Sequence, residues 1–285
     1  MGAMRLCLLT MITMVAFASN SLLTRLAVDT GASDPYSFAL LRVFAGAAVL
    51  SVILKVSGKP VAFSPRQRAT GALSLAVYMI GFSLAYLTLD AGLGALILFG
   101  VVQIAMFAHS AVTGQQPTAR QMTGAAIAFG GLLLVLWPAG GASTDVAGAI
   151  FMVLAGLGWA VYTISGRAAS DPLAMTGANF LLCLPVMLLF LLAPDRNVTT
   201  GGYLLALICG GLTSGLGYAL WYRVLPDLQQ TAAAVVQLSV PVIAIIGGAL
   251  VLGEPVSGKV AVAAMLVLGG IAFAVTSRSS QAGRR

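Results

Sequence analysis

Ten stretches of about 20 residues run through this chain with almost no charge inside them, and few folds can hold such a pattern. They fall at roughly 6–26, 36–56, 70–90, 92–112, 119–137, 146–166, 173–193, 202–222, 230–252 and 257–276. An α-helix rises 1.5 Å per residue, so about 20 apolar residues cross roughly 30 Å of hydrocarbon. The stretches do not alternate apolar and polar residues, which a membrane β-barrel requires. Only 15 basic and 8 acidic residues occur among 285, or 8% charged. A soluble domain carries about 25%. With 59% apolar residues and a mean hydropathy of +1.00, the chain has more apolar surface than a soluble fold of this size can bury. Composition excludes a soluble enzyme, a disordered chain and a collagen-like or disulfide-stapled scaffold. The expectation is an all-α polytopic membrane protein with ten transmembrane helices. The longest polar connection, about Lys55 to Thr70, leaves no room for a soluble domain.

Basic residues set the orientation. With the N-terminus in the cytoplasm, the inner side holds Arg5, Lys55, Lys59, Arg66, Arg68, Arg120, Arg167, Arg223, Arg278, Arg284 and Arg285. The outer side holds Arg25, Arg42, Arg196 and Lys259. Acidic residues divide the other way, with Asp171 and Asp227 inside and the rest outside. An even number of spans then makes both termini cytoplasmic. The positive net charge is a topology signal and implies no nucleic-acid partner, because the basic residues lie in short loops beside spans. Arg5, the apolar run after it and Ala16-Phe17-Ala18 also fit a secretory signal with a cleavage site. The internal repeat argues instead for a retained first span.

The repeat is weak but regular. Phe17 to Arg25 and Trp159 to Arg167 are each eight residues, and each arginine is followed by an Asp-Pro, at Asp34-Pro35 and Asp171-Pro172. Gln103 to Pro117 and Pro241 to Pro255 are each fourteen residues, and Gly130-Gly131 and Gly269-Gly270 then follow at almost the same offset. Residues 1–142 and 143–285 therefore read as two five-span repeats. Five is odd, so the second half runs the opposite way across the bilayer. Inverted repeats of this kind build secondary transporters, with the substrate site near the midplane between the halves.

This arrangement resembles the EamA-type transporters of the drug/metabolite transporter superfamily. Pro241, Leu252-Gly253-Glu254-Pro255 and Gly269-Gly270 match that family's "P…LGE…GG" pattern. The first repeat departs from it: Gln103 replaces the proline, and Gly114-Gln115-Gln116-Pro117 replaces the Gly-Glu. The resemblance covers essentially the whole chain. It implies ten spans in two inverted repeats, both ends cytoplasmic, and an export function. Within the family the aromatic-rich spans are most similar to the amino-acid exporters, including those for aromatic amino acids.

The spans also lack certain groups. No Asp or Glu sits mid-span, which argues against a drug/proton antiporter built on a buried carboxylate. Gly58-Lys59 and Gly258-Lys259 lack the rest of a phosphate-binding loop, so no ATP is expected. One histidine excludes a multi-His metal site, and three scattered cysteines make no disulfide framework. No metal and no cofactor are expected. An enzyme would need a nucleophile and a base in reach, and only His109 could supply an imidazole.

The spans do contain uncharged polar and aromatic groups at helical spacing. Tyr78, Phe82 and Tyr86 share a face of span 3, and Trp159, Tyr162 and Thr163 a face of span 6. Asn20, Ser21 and Thr24 lie beside Phe17 on span 1, and Thr213, Ser214, Tyr218, Trp221 and Tyr222 on span 8. Gln103 is near the middle of span 4, and Gln237 and Ser239 precede Pro241 in span 9. The candidate substrate-binding set is Asn20, Ser21, Tyr78, Phe82, Gln103, Trp159, Tyr162, Ser214, Tyr218, Gln237 and Ser239. Amides and hydroxyls suit the polar end of a zwitterion, and rings its side chain. Tyr36, Tyr86, Trp137, Tyr203, Trp221 and Tyr222 also fit an interfacial aromatic belt. Pro241 is the candidate hinge. Arg42 has two readings: snorkelling to the outer interface, or contacting a substrate carboxylate. Its counterpart in the second half is Asn179, each seven residues past its proline. His109 is either a proton site or an interfacial histidine.

The sequence thus predicts a multi-pass protein of the cytoplasmic (inner) membrane, working as a monomer in the lipid bilayer on a small-molecule substrate. The leading reading is a secondary exporter of amino acids, neutral and aromatic ones favoured, by alternating access. Efflux of cationic drugs or other small metabolites is the alternative, ahead of a receptor or enzyme.

Overall fold

The structure is a computed structural model. It describes residues 2–61, 65–113, 118–137, 145–167, 170–193, 196–228 and 236–275, with the backbone alone at 65–68, 135–136, 166–167 and 275. The Gly114-Gln115-Gln116-Pro117 motif, the arginines after 275 and the join between 142 and 143 lie outside the described residues.

Ten helical rods account for the described residues. They are α1 (Ala3–Asp29), α2 (Pro35–Val56), α3 (Pro65–Ala85), α4 (Ala91–Val112), α5 (Ala119–Leu136), α6 (Val146–Arg167), α7 (Pro172–Leu192), α8 (Thr200–Asp227), α9 (Ser239–Leu252) and α10 (Gly258–Val275). Their bounds follow the uncharged stretches closely. The largest difference is α9, which begins at Ser239 instead of near residue 230, with 229–235 outside the described residues; α3 stops at Ala85 instead of near residue 90. The uncharged Leu87-Thr88-Leu89 forms the turn into α4. Six rods, α1, α2, α4, α6, α7 and α8, are long and apolar enough to cross a membrane over their described residues. Shorter apolar helices occupy the positions of spans 3, 9 and 10.

The packing is inside-out relative to a water-soluble bundle. Met11, Phe44, Leu192 and Leu250 are exposed, while Thr13, Asn20, Ser21, Thr24, Arg42, Asn179 and Ser214 are buried. Lipid is the solvent that accepts such a surface.

The repeated Asp-Pro has a direct physical role. Asp34 and Asp171 are the N-caps of α2 and α7, and the prolines occupy the first helical turn, where no N–H is needed. Asp34 Oδ1 accepts from the backbone N–H of Tyr36 (3.0 Å) and Ser37 (2.9 Å), and Asp171 Oδ1 from that of Ala174 (3.1 Å). Each cap also ties its helix to another element. Asp34 Oδ2 accepts from the Asn197 backbone at 3.0 Å, and Lys59 Nζ donates to Asp171 Oδ2 at 2.7 Å.

These ties show which helix ends lie together. One end gathers the Asp34–Asn197 contact, the Arg25–Glu254 pair, the Thr88 to Asp145 bond and the Lys259 to Trp137 bond. The Lys59–Asp171 pair joins α2 and α7 at the opposite end, and there Arg120 Nε donates to the Phe273 carbonyl. Successive helices therefore alternate in direction.

Close approach between helices depends on glycine at two of the tightest crossings. A Cβ on Gly270 of α10 would sit 2.6 Å from the Gly124 carbonyl oxygen and 2.7 Å from the Ala128 nitrogen of α5. A Cβ on its neighbour Gly269 would meet nothing. Gly158 of α6 likewise lies against the Ser74 carbonyl and Tyr78 nitrogen of α3.

Two predictions follow from these contacts. Gly270→Ala should destabilise the protein by about 1–3 kcal/mol, while Gly269→Ala should leave it unchanged, as read by thermal unfolding in detergent. Partial burial opposes the charge on Asp171, but the Lys59 ammonium and the backbone N–H groups of α7 outweigh it and hold its pKa below the ordinary carboxylate value. A depressed carboxylate stabilises above its unfolded pKa and loses that contribution as pH falls through its folded one. The contribution should be level near neutrality and fade below about pH 4. Asp171→Ala should cost about 1 kcal/mol at pH 7 and flatten this part of the acid limb of the unfolding profile.

Candidate functional site

Five helices meet around a central cavity. Phe17, Asn20 and Ser21 come from α1, Tyr78 and Phe82 from α3, Leu98 and Phe99 from α4, Trp159 from α6 and Tyr218 from α8. Its volume of about 20 Å³ holds roughly one water molecule. In this conformation it is contracted, and a metabolite needs the helices to part.

The aromatic wall is continuous. Tyr78 lies 5.3 Å from Phe82 and 4.9 Å from Trp159 between ring centroids. Trp159 stacks on both Tyr162 and Tyr218 at 5.3 Å, and Tyr218 meets Phe17 edge-on at 5.6 Å. The i, i+4 spacing of Tyr78 and Phe82 puts them on one face of α3. Gly158 lets α6 come close enough to lay Trp159 against them.

The polar wall is built from α1 and α8. Asn20 Oδ1 accepts from Ser214 Oγ at 3.0 Å and from Cys209 Sγ at 3.3 Å, and lies 2.8 Å from Thr213 Oγ1. Its Nδ2 donates to the carbonyls of Ala16 (3.2 Å) and Phe17 (3.4 Å), which fixes the amide's orientation. Three donors at positions 209, 213 and 214 reach one oxygen because Ile208–Leu216 is π-helical. In an α-helix a residue five along turns away from the face, whereas i→i+5 winding keeps residues four and five apart together.

Arg42 completes the site from behind and is fully buried. Nε donates to Ser214 Oγ and Nη2 to the Tyr78 hydroxyl, both at 3.1 Å. The guanidinium lies 5.0 Å from the Phe82 ring centre and 5.5 Å from that of Tyr78. Nη1 has no partner. Donation runs Arg42 to Ser214 to Asn20, so the Ser214 hydroxyl has one direction. Gly210 makes it possible: a Cβ there would overlap the Arg42 carbonyl oxygen. The expectation that Arg42 snorkels to the outer interface is therefore wrong. It lies about 10 Å along α2 from Pro35, where α3 and α8 enclose it.

Six candidate residues line the cavity together: Asn20, Ser21, Tyr78, Phe82, Trp159 and Tyr218. Ser214 joins them through Asn20, and Tyr162 stacks behind Trp159 while donating to Thr176 Oγ1 at 3.0 Å. The others lie apart from this cavity. Gln103 is half-buried on α4, one turn beyond Phe99, and Gln237 and Ser239 are half-buried at the start of α9. Ser239 Oγ donates to the Val236 carbonyl at 2.6 Å. Pro241 sits in the first turn of α9, just after a turn at Leu238, so it follows a helix break instead of kinking a continuous span. His109 is exposed, about 15 Å along α4 from Phe99. Tyr86 leaves the expected belt: it is buried, and its hydroxyl donates to the Ala91 carbonyl at 3.3 Å. Sequence reasoning missed the lining role of Leu98 and Phe99, which carry no signal beyond hydrophobicity.

An ionic cluster lies about one helical turn beyond the cavity residues Ser21 of α1 and Phe82 of α3. Arg25 Nε is 3.3 Å from Glu254 Oε1, and Nη1 bonds the Tyr86 carbonyl (2.9 Å) and Asp29 (3.0 Å). Glu254 also accepts from the Ala91 N–H at 2.9 Å, at the N-terminus of α4. Burial pushes the Glu254 carboxyl above the ordinary value, against the pull of that N–H and Arg25. The Gly253 turn, at φ +68°, delivers Glu254 to this position. At the other end α4 is looser: Ala91–Gly100 are all buried, whereas residues 103–107 are half-exposed on every face.

Residues 146–276 match the EamA-like transporter family. An uncharacterised protein of Pseudomonas aeruginosa is 44% identical over 282 residues, 98% of each chain. An uncharacterised transporter of Archaeoglobus fulgidus is 24% identical, covering 86% of this chain and 90% of its own. A crystal structure at 19% identity shares the fold, with a TM-score of 0.66 over 96% of this chain and 97% of the other. The second half of the chain is thus similar to the EamA-like transporter family, part of the drug/metabolite transporter superfamily, whose members carry small molecules across membranes.

Asn20→Ala should remove the acceptor of Ser214 and Cys209, while Thr213 keeps the Cys209 carbonyl at 2.9 Å, and lower stability by about 2 kcal/mol in a thermal melt.

Proposed function

We propose that this transporter moves amino acids, neutral and aromatic ones foremost, by alternating access between two inverted five-helix halves, residues 1–142 and 143–285. The observation that carries the reading is the central cavity, where α1, α3 and α4 of the first half meet α6 and α8 of the second around an aromatic and amide-lined space. Rings accept the apolar side chain, and oriented polar groups accept the charged end.

The helix contacts support the inverted repeat. Exchanging α1 with α6, α2 with α7, α3 with α8, α4 with α9 and α5 with α10 maps each strong contact onto another. The α3–α6 contact answers α8–α1, α4–α6 answers α9–α1, and α2–α8 answers α7–α3. The α2–α7, α4–α9 and α5–α10 contacts answer themselves. With α1 entering from the cytoplasm, the ionic cluster lies on the outer side of the cavity and the looser half of α4 faces inward. Removing Arg42 from the outer count sharpens the excess of basic residues inside, which supports cytoplasmic termini and an inner-membrane location. The buried Arg42 disfavours the cationic-drug alternative, because a second positive charge in the same dry space is repelled. The protein functions as a monomer in this reading, since the cavity lies within one chain.

The test is counterflow in liposomes with labelled Phe, Trp, Met, Thr, Glu, Lys, a quaternary ammonium compound and a sugar phosphate. Neutral amino acids should exchange, and Tyr78→Ala or Trp159→Ala should slow them about tenfold or more, the equivalent of 1.4 kcal/mol. Exchange of the quaternary cation alone, or of nothing, overturns the reading.

A further inference from the structure

We infer that the group this site recognises is a single carboxylate, anchored by Arg42, and that an amino group on the substrate is dispensable. The inference rests on the cavity being the substrate site and goes beyond the amino-acid reading.

Arg42 carries the one fully buried formal charge among the described residues, and nothing there neutralises it. Its partners are a hydroxyl, a phenol and two ring faces, all formally neutral. Buried charges are otherwise paired, because an unpaired one loses its hydration without return. Arg42 Nη1 is an unused donor, buried and without a hydrogen bond. A guanidinium in that condition lacks an anion, and its planar fork suits a carboxylate. Tyr78 and Phe82, which flank the guanidinium, also line the cavity, so their displacement on opening brings an occupant to Arg42.

The same wall offers little to an ammonium. The Asn20 oxygen already faces Ser214, Cys209 and Thr213. The Tyr78 and Phe82 rings already face one cation. No carboxylate lines the cavity. A monocarboxylate with an aromatic or apolar body leaves the loaded site neutral. A zwitterion leaves it with the charge of the empty site, and an amine adds to that charge.

Three probes with one body separate these cases: 3-phenylpropanoate, phenylalanine and phenethylamine. Binding is read as the shift in thermal unfolding of the full-length protein in detergent, and transport by counterflow in liposomes. Phenylpropanoate and phenylalanine should raise the unfolding temperature, phenylpropanoate at least as much, while phenethylamine should not. Arg42→Gln should abolish the shift, and Arg42→Lys should weaken it about tenfold in concentration because a point charge replaces the fork. Should Arg42→Gln fail to fold, the wild-type ranking of the three probes decides alone. Equal shifts from carboxylate and amine overturn the inference, as does no shift from phenylpropanoate or an equal shift from chloride. Counterflow reports separately on transport: a carboxylate-selective thermal shift without exchange keeps the anchor and overturns the carrier reading, whereas exchange without a carboxylate-selective shift does the reverse.

Discussion

A guanidinium held out of water sets conditions on everything packed around it. Arg42 needs hydrogen-bond acceptors, ring faces and a dry enclosure at once, and three other helices supply them. Ser214 comes from α8, Tyr78 and Phe82 from α3, and Asn20 of α1 orients Ser214. In hydrocarbon these polar groups have no water to fall back on, so the protein supplies their partners, all but the one that Arg42 Nη1 lacks. The π-helical winding of α8 and the bare backbone at Gly210 are the local adjustments that allow it. Each weakens α8 as an isolated helix, and each is compensated by the contact it permits.

The ends of the bundle use a different chemistry. Charges that would be expensive at mid-depth sit at helix termini, where caps and backbone N–H groups hold them. Asp34 and Asp171 begin helices and cross-link loops, and Glu254 caps α4 while pairing with Arg25. Such contacts join elements distant in the chain through a few polar atoms. Helix seams such as α5–α10 rely instead on close backbone approach at Gly124 and Gly270.

The sequence by itself determined the helices. Residues that cannot face water in such number, in runs of about 20, leave few alternatives, and Asp-Pro caps and charges mark where runs end. It also located six of the residues lining the cavity, because a Tyr, Trp or Asn inside an apolar run has few other reasons to be there. Tertiary structure alone decided what surrounds each of them. Arg42 reads as interfacial from its distance to Pro35, and only α3 and α8, folded over it, make it central. Tyr86 reads as a belt residue, yet α4 covers it. Gln103 and His109 read as polar groups inside a span, and the packing leaves them outside the cavity. Hydrophobic periodicity reports which residues avoid water, a property of each segment. Burial and hydrogen-bond partners depend on segments 36 to 194 positions away, and one chain's local pattern carries no record of that distance.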